Sequence, residues 1–230
     1  MFGNLLSLEF RRERLLKKAP PGPLRDFLSV PFPSPNSDCR EVPFLALDLE
    51  TTGLEANHGE IVSIGYVEMI GFRIDLGSAT HRLVITEGAI PEQSAVIHQI
   101  TDDAAAGGRS LEKVVSELLK VLAGKVLIAH HAPVEFSFLG AACETIWGGR
   151  FLVPMVDTEW IERRTLERRQ QTYAARELRL SRLRDRYGLP RYRAHDALVD
   201  ALAAAELFAA QVAERDTGGR LPLKEFLTRL

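Results

Sequence analysis

Phe44-Leu45-Ala46-Leu47-Asp48-Leu49-Glu50-Thr51-Thr52-Gly53-Leu54 is the stretch on which the fold turns. Its first four residues form an unbroken apolar run, the mark of a strand covered on both faces. Asp48 and Glu50 then stand at i and i+2, so on a strand they project from the same face. An acid closing a buried strand is costly unless a cation compensates it. Hard divalent cations such as Mg²⁺ prefer carboxylate oxygens, so the pair has the character of metal ligands. The bland alternative is a strand end emerging into solvent with both acids wet.

Working outward, Glu60 to Met69 and Arg82 to Ile85 alternate as second and third strands. Ser110 is placed to cap a helix whose apolar positions Leu111, Val114, Val115, Leu118, Leu119 and Leu122 follow the helical period. Val126 to Ala129 is a further short buried strand, Pro133 to Trp147 a helix, and Val153 to Val156 a last strand. Asp157 could cap the helix after it. The remainder reads as helical, broken near Gly188-Leu189-Pro190. Strands first, then strands alternating with helices, predict an α/β fold with a mixed sheet flanked by helices.

Before residue 42 the character differs. A basic amphipathic piece, Phe10 to Lys18, runs into Ala-Pro-Pro-Gly-Pro (19–23) and Pro-Phe-Pro-Ser-Pro (31–35). Such proline density forbids a continuous helix or a central strand. Leu24, Phe27, Leu28, Val30 and Phe32 are nevertheless too apolar for a free linker, so residues 1–41 read as an arm lying against a main domain of 42–214. Residues 215–230 read as a tail. Pro23-Leu24-Arg25-Asp26-Phe27-Leu28 is echoed by Pro222-Leu223-Lys224-Glu225-Phe226-Leu227, an echo the sequence does not explain.

At 230 residues, 46% apolar and 26% charged, the chain has the ordinary globular balance and length for one α/β domain. Cys39 and Cys143 are far apart and fit no metal spacing, which reads as a reduced, cytoplasmic protein. The N-terminal basic residues follow the apolar ones, the reverse of a secretory signal, and no stretch approaches the roughly 20 apolar residues of a membrane span. The net charge of −2 says nothing about a polyanionic partner, but its distribution does. From Arg163 to Arg193 there are eleven arginines against Glu167, Glu177 and Asp185. These arginines precede His195 in the chain, so some are expected beside the mouth of the site. The bland reading pairs them with acids of their own helices, Arg163 with Glu167 for example.

Two more clusters carry chemistry. In Ala194-His195-Asp196-Ala197-Leu198-Val199-Asp200, Asp196 is a reasonable helix cap. Asp200 then lies about one turn inside the helix and His195 in the loop before it, a fixed carboxylate beside a mobile imidazole. In Ala129-His130-His131-Ala132-Pro133-Val134-Glu135, a buried strand turns into a helix with an acid in its first turn. The helix dipole alone favours an acid there.

Together these motifs resemble the DEDDh exonucleases, the group that includes DnaQ, RNase T and oligoribonuclease. The first family motif resembles Asp48 to Gly53, the second (His-Asn-Ala-x-Phe-Asp) His130 to Glu135, and the third (His-x-x-x-x-Asp) His195 to Asp200. A minor feature, Ile-His-Gly-Ile-Thr, resembles Ile97-His98-Gln99-Ile100-Thr101. Any one motif is weak; four in order across roughly residues 42–212 are specific. Glu135 stands where the family has Asp, Gln99 replaces a glycine, and Val134 replaces an aromatic, which bears on efficiency and substrate preference more than on the fold.

The resemblance implies an RNase H-like sheet and a metal-dependent 3′-5′ exonuclease releasing mononucleotides from a nucleic acid with a free 3′ end, single-stranded and DNA rather than RNA. It implies two divalent cations, Mg²⁺ or Mn²⁺, about 4 Å apart. Asp48 would be shared by both, Glu50 and Asp200 would complete one site, and Glu135 would act directly or through water. His195 would be the general base, a role suited to imidazole because its reference pKa of about 6.5 lies near the working pH. Thr51, Leu54 and His98 would contact the terminal nucleotide through backbone, wedge and base contacts. For Leu54 the bland reading is a core leucine, and for His98 a surface residue at a helix end. Polymerase association has no sequence signal. Two other classes compete: a non-catalytic nucleic-acid-binding module on the same fold, and a zinc hydrolase using His130, His131 or His58, which the spacing does not support.

Overall fold

The computed structural model describes residues 7–228, so residues 1–6 of the expected arm and 229–230 of the expected tail lie outside the described residues. Five strands form one sheet in the order β3-β2-β1-β4-β5. They are β1 (Pro43–Thr51), β2 (Ile61–Ile70), β3 (Arg73–Leu83), β4 (Val126–Ala129) and β5 (Met155–Asp157). The first three pair antiparallel, whereas β4 runs parallel to β1 and β5 parallel to β4. This is the mixed sheet flanked by helices that the sequence predicts.

Alternation along β1 sorts the core. Leu45, Leu47 and Leu49 face one layer, built from α5 (Leu111–Leu122) and α6 (Pro133–Trp147). Phe44 and Ala46 face the other, where α9 (Ala197–Ala213) contributes Ala204, Ala205, Phe208 and Val212. By the same period Asp48 and Glu50 belong to the α9 face. That face needs a close approach of helix to sheet. Gly65 of β2 stands opposite Asp48, and a Cβ there would come within 2.1 Å of the Ala197 carbonyl carbon and the Leu198 nitrogen. A glycine within a strand marks such an approach of another backbone. It lets the first turn of α9 rest directly on β2.

Two expectations need correction. The third strand is not Arg82 to Ile85 but the whole of Arg73–Leu83, with Val84 making only an isolated bridge to Arg109. It is an edge strand folded back through Gly71 (φ 56), and most of it is exposed, so it carries little apolar alternation to read. The last strand begins at Met155, after Pro154, and not at Val153.

The arm forms α1 (Leu8–Leu16) and α2 (Pro23–Ser29). Leu24, Phe27 and Leu28 are buried in the α5/α6 layer. At the other end Leu223 and Phe226 are buried in the α9 layer, in a 3₁₀ turn over Leu223–Glu225. The Pro-Leu-x-acid-Phe echo therefore has a structural sense. Each copy is a short, proline-started helical turn that inserts a leucine and a phenylalanine, one copy on each face of the sheet. The tail also covers an edge, since Leu227 bridges Val156 and Thr228 N–H donates to the Met155 carbonyl at 2.8 Å.

A candidate active site at the strand ends

The carboxyl ends of β1, β4 and β5 meet at one edge of the sheet, the position where parallel strands offer a ligand crevice. β1 delivers Asp48 and Glu50. β4 ends at Ala129, so His130 and His131 form the turn into α6, whose first turn carries Glu135. β5 ends at Asp157, whose carboxylate caps α7 (Thr158–Arg168) by accepting from the Glu159 and Trp160 N–H groups. It also accepts from the His131 N–H at 3.0 Å, tying the second motif to β5. His131 itself holds a left-handed conformation (φ 66), which asparagine and histidine tolerate better than most side chains.

α9 brings the last acid. Asp196 caps it through the Leu198 and Val199 N–H groups, as the sequence predicts. Asp200 accepts the His195 N–H at 2.7 Å, which fixes the loop backbone, left-handed at His195 (φ 66), while the imidazole stays exposed.

These acids gather with little positive charge among them. Asp48 is held well above the usual carboxylate range by burial and then by the charges of Glu135, Asp200 and Glu50. Glu135 is pushed up to about 8, chiefly by burial and against a local main-chain hydrogen bond, with Asp157 and Glu50 adding repulsion. Glu50 is pushed up to about 7 by burial and then by Asp200 and Asp196. Asp200 is raised too, mainly by burial and partly against the neighbouring His195. One oxygen of Glu135, Oε2, is buried with no hydrogen-bond partner among the described residues. Sequence reasoning missed two contributors to this environment. Asp157 acts on Glu135 as well as capping α7, and the buried Ser63, opposite Glu50, leaves its hydroxyl without a partner. Ser63 gave no signal; Gly65 and the strand-end Asp157 did.

A hard divalent cation suits this donor set. One ligand atom each from Glu50, His195 and Asp200 lies within 4.8 Å of the other two. Asp48, expected to be shared, and Glu135 stand beside this group rather than in it. His58, His130 and His131 join no such group among the described residues. His130 is driven down to about 4 by burial, opposed by Glu159 and the Leu178 backbone, and its Nδ1 meets the Thr158 hydroxyl at 2.8 Å.

The three remaining candidates sit at the end of β1, in the loop after it and at the end of a helix tied to that loop. Thr51 donates its hydroxyl to the Gly53 carbonyl at 2.6 Å. Leu54 is 84% exposed and is no core residue. Helix α3 (Glu92–His98) is tied to this loop because Ser94 donates to the Thr52 carbonyl at 2.9 Å. His98 is buried, not a surface residue. Its Nδ1 accepts the Ile100 N–H, so Nε2 carries the proton, and that buried donor has no partner among the described residues. Gln99, in the place of the family's glycine, is left-handed (φ 58), and its side chain meets Arg193 of the loop that carries His195.

The arginines divide. Arg163 pairs with Glu159, not with Glu167 as the bland reading has it; both lie four residues away, but an acid placed before the base is the more favourable order on a helix, and Glu167 accepts from the Tyr173 hydroxyl instead. Arg184 is buried against Glu206 and the Ala203 and Pro190 carbonyls. Arg186 holds Glu162, Arg191 holds Asp185, and Arg169 holds Glu214. Arg176, Arg179 and Arg182 form no such pair among the described residues; with the paired Arg184 and Arg191 they line a cavity of about 930 Å³ together with Asp48, Glu50 and Asp200.

A family model for exonucleases, RNase_T, matches residues 45–208. The chain is 31% identical over 172 residues to the DNA polymerase III subunit epsilon of Treponema pallidum, covering 75% of this chain and 77% of that protein. It is 30% identical over 175 residues to the DNA polymerase III PolC-type of Thermotoga maritima, covering 76% of this chain but 12% of that much longer protein. Among solved structures, exonuclease X in complex with 5′ overhanging duplex DNA superposes with a TM-score of 0.60 at 21% identity, over 80% of this chain and 98% of that one. The nuclease domain of 3′hExo, a DEDDh family member bound to rAMP, gives 0.63 at 13% identity, over 77% and 95%. At such identities these two report the fold alone.

Proposed function

Since the chain belongs to the RNase_T exonuclease family and is a homologue of the polymerase III epsilon subunit, we propose that it is a 3′-5′ exonuclease. It would remove mononucleotides from the free 3′ end of a single strand, DNA in preference to RNA. The observation that carries this reading is the convergence of Asp48, Glu50, Glu135 and Asp200 from three elements onto one edge, where their charges repel one another. Such a cluster persists when it has a cation to hold. Asp48, Glu50, Glu135 and Asp200 would hold two divalent cations, Mg²⁺ or Mn²⁺. When bound, these would neutralise the acids and stabilise charge on the scissile phosphate and the departing 3′ oxygen.

The chain's own groups supply the rest. His195 would accept the proton of the attacking water at a ring nitrogen, next to Glu50 and Asp200. Its exposure lets it return the proton to bulk solvent. The hydrogen bond from its main chain to Asp200 holds the loop while the ring turns. Thr51 would meet the terminal nucleotide through main chain, Leu54 would wedge against its base, and the His98 Nε2–H would donate to it.

Residues 42–214 would form the catalytic unit, with the described part of the arm, 7–41, braced on it and that of the tail, 215–228, sealing the β5 edge. The epsilon relationship makes a polymerase the candidate partner. No helix among the described residues is long and apolar enough to cross a membrane, which accords with a cytoplasmic protein of this kind. The deciding experiment digests 3′- and 5′-labelled single-stranded DNA, duplex DNA and RNA side by side in Mg²⁺. Immediate release of the 3′ label as mononucleotide is expected, with the 5′ label persisting in a ladder. Internal cuts, or no cleavage in Mg²⁺ or Mn²⁺, would sink the proposal.

A further inference from the structure

The cavity that holds the acids has a second wall of opposite sign. It is built from a 3₁₀ turn over Ala175–Leu178 and from α8 (Leu180–Arg186), joined at Arg179. Leu178 and Leu183 anchor this segment in a small cluster with Leu166 and Leu207, so the wall has a fixed base. Arg176, Arg179 and Arg182 follow one another at intervals of three and are exposed along the cavity.

Two acids of the same cavity, Glu159 and Asp185, are already engaged. Glu159, on the same cavity, is held by His131 and Arg163. Asp185, which feels the charge of Arg182, is held by Arg191. Among the described residues, Arg176, Arg179 and Arg182 make no salt bridge, although unpaired carboxylates line the same space. Cations and anions that share a cavity without pairing leave each side open to a ligand of its own. At about 930 Å³ the cavity stands near the top of the roughly 300–1,000 Å³ range of ligand sites, which leaves room for more than the scissile phosphate.

We propose that Arg176, Arg179 and Arg182 form a phosphate-binding row that grips phosphate oxyanions of the nucleotide chain while its end lies on the carboxylates. The proposal rests on the exonuclease reading. Guanidinium groups suit the task, because their forked donors match phosphate oxygens two at a time. A site lined with acids repels a polyanion, and a cationic row on the facing wall offsets that repulsion where it matters. The same oxyanion chemistry is offered by two sources, the strand still being cut and the nucleoside monophosphate already released.

The test compares the full-length wild type with R176Q/R179Q/R182Q and with R176K/R179K/R182K. Anisotropy of a 5′-labelled single-stranded oligonucleotide, with Ca²⁺ replacing Mg²⁺, gives affinity as a function of salt. Kinetics in Mg²⁺ use the same strand and p-nitrophenyl thymidine 5′-monophosphate, a diester with one phosphate only. Each single-strand phosphate contact contributes about −0.7 to the log–log salt slope, so three lost contacts should flatten it by roughly 2 and weaken binding about tenfold near physiological salt. Turnover of the small diester should stay within about twofold, and the lysine variant should recover the slope but only part of the affinity. Weakened inhibition by thymidine 5′-monophosphate with unchanged strand affinity would support the row with the released nucleotide as its source. Unchanged strand affinity, slope and mononucleotide inhibition in the glutamine variant would overturn it. If the wild type cleaves neither substrate, the exonuclease reading fails, and the salt slope still decides the row.

Discussion

The two walls of the cavity were built by different means. The acidic wall comes from strand ends and helix starts fixed by the sheet, so its carboxylates are buried or half-buried, crowded and short of compensating charge. The basic wall comes from short pieces of helix anchored by a few leucines, so its arginines are exposed and need no compensation. Burial makes the first wall expensive without a cation, whereas the second costs the fold almost nothing. The acidic wall should therefore register every change in catalysis and in pH-dependent stability. The basic wall should register changes mainly in affinity.

The largest effect is expected at the centre of the acidic wall. Asp48→Ala should abolish hydrolysis, because it removes the acid on which the charges of Glu135, Asp200 and Glu50 all act. The fold should survive, since deleting one of several crowded acids relieves repulsion. Activity within about tenfold of wild type in Mg²⁺ would refute the assignment of Asp48 as a cation ligand.

Gly65→Ala tests how that wall is assembled without touching an acid. The added methyl would fall 2.1 Å from the Ala197 carbonyl carbon, and a backbone neighbour cannot swing aside as a flexible side chain can. The first turn of α9 must lift, carrying Asp200 and His195 with it. A misplacement of about 1 Å can cost roughly a hundredfold in rate. A loss of that order is expected with the overall helix content kept, measured by turnover and circular dichroism together. Wild-type turnover in Gly65→Ala would mean that α9 has more freedom on β2 than the close approach allows. His195→Ala should also cost about a hundredfold, the ordinary weight of a general base, but without loss of metal affinity by calorimetry. A drop in metal affinity as large as the drop in rate would make His195 a ligand instead.

The pH dependence of stability separates the walls next. In the metal-free protein Glu50 is raised to about 7 and Glu135 to about 8, so the folded state binds more protons than the unfolded one between roughly pH 4.5 and 8. Stability then falls as pH rises through that window and stays low above it. A loss of a few kcal/mol in a chain of this size would lower Tm by about 5–10 °C between pH 5 and 9. Mg²⁺ should flatten the decline, because cation binding requires the deprotonated acids. Glu135→Gln should raise the metal-free Tm at pH 9 while losing most activity, and Glu135→Asp should stay active. A metal-free Tm independent of pH would show that the acids are better solvated than their burial indicates.

Much of this was legible in the residues. The apolar run into Asp48 and Glu50, the caps Ser110, Asp157 and Asp196, and the helix from Pro133 to Trp147 all act through local chemistry, and all stand where the sequence places them. What stayed hidden depends on distant partners. Strand β3 is an exposed edge held by hydrogen bonds, with few apolar residues to set a period. Sequence alone could not sort the arginines either. Whether Arg186 meets Glu162 or Arg182 faces the cavity depends on how α7 and α8 pack, not on their spacing.

The smallest expected effect lies where the two sides of the site are joined. Gln99 ends α3 in a left-handed conformation, with its N–H donating to the Ala95 carbonyl, a position where glycine is usual. A non-glycine residue there costs roughly 1 kcal/mol, and glycine returns part of that as extra freedom in the unfolded chain. Gln99→Gly should therefore leave stability unchanged or raise it by up to about 1 kcal/mol. The side chain nevertheless has a partner, Arg193, two residues before His195. Losing that partner should loosen the loop and lower turnover a few-fold, with little change in strand affinity, because the phosphate row lies elsewhere. Gln99→Asn separates the two contributions. Asparagine tolerates the left-handed conformation but is one methylene too short to make the same contact, so it should share the turnover loss of Gln99→Gly. If both variants turn over as wild type does, the contact does not position His195, and Gln99 is only a strained substitute for glycine.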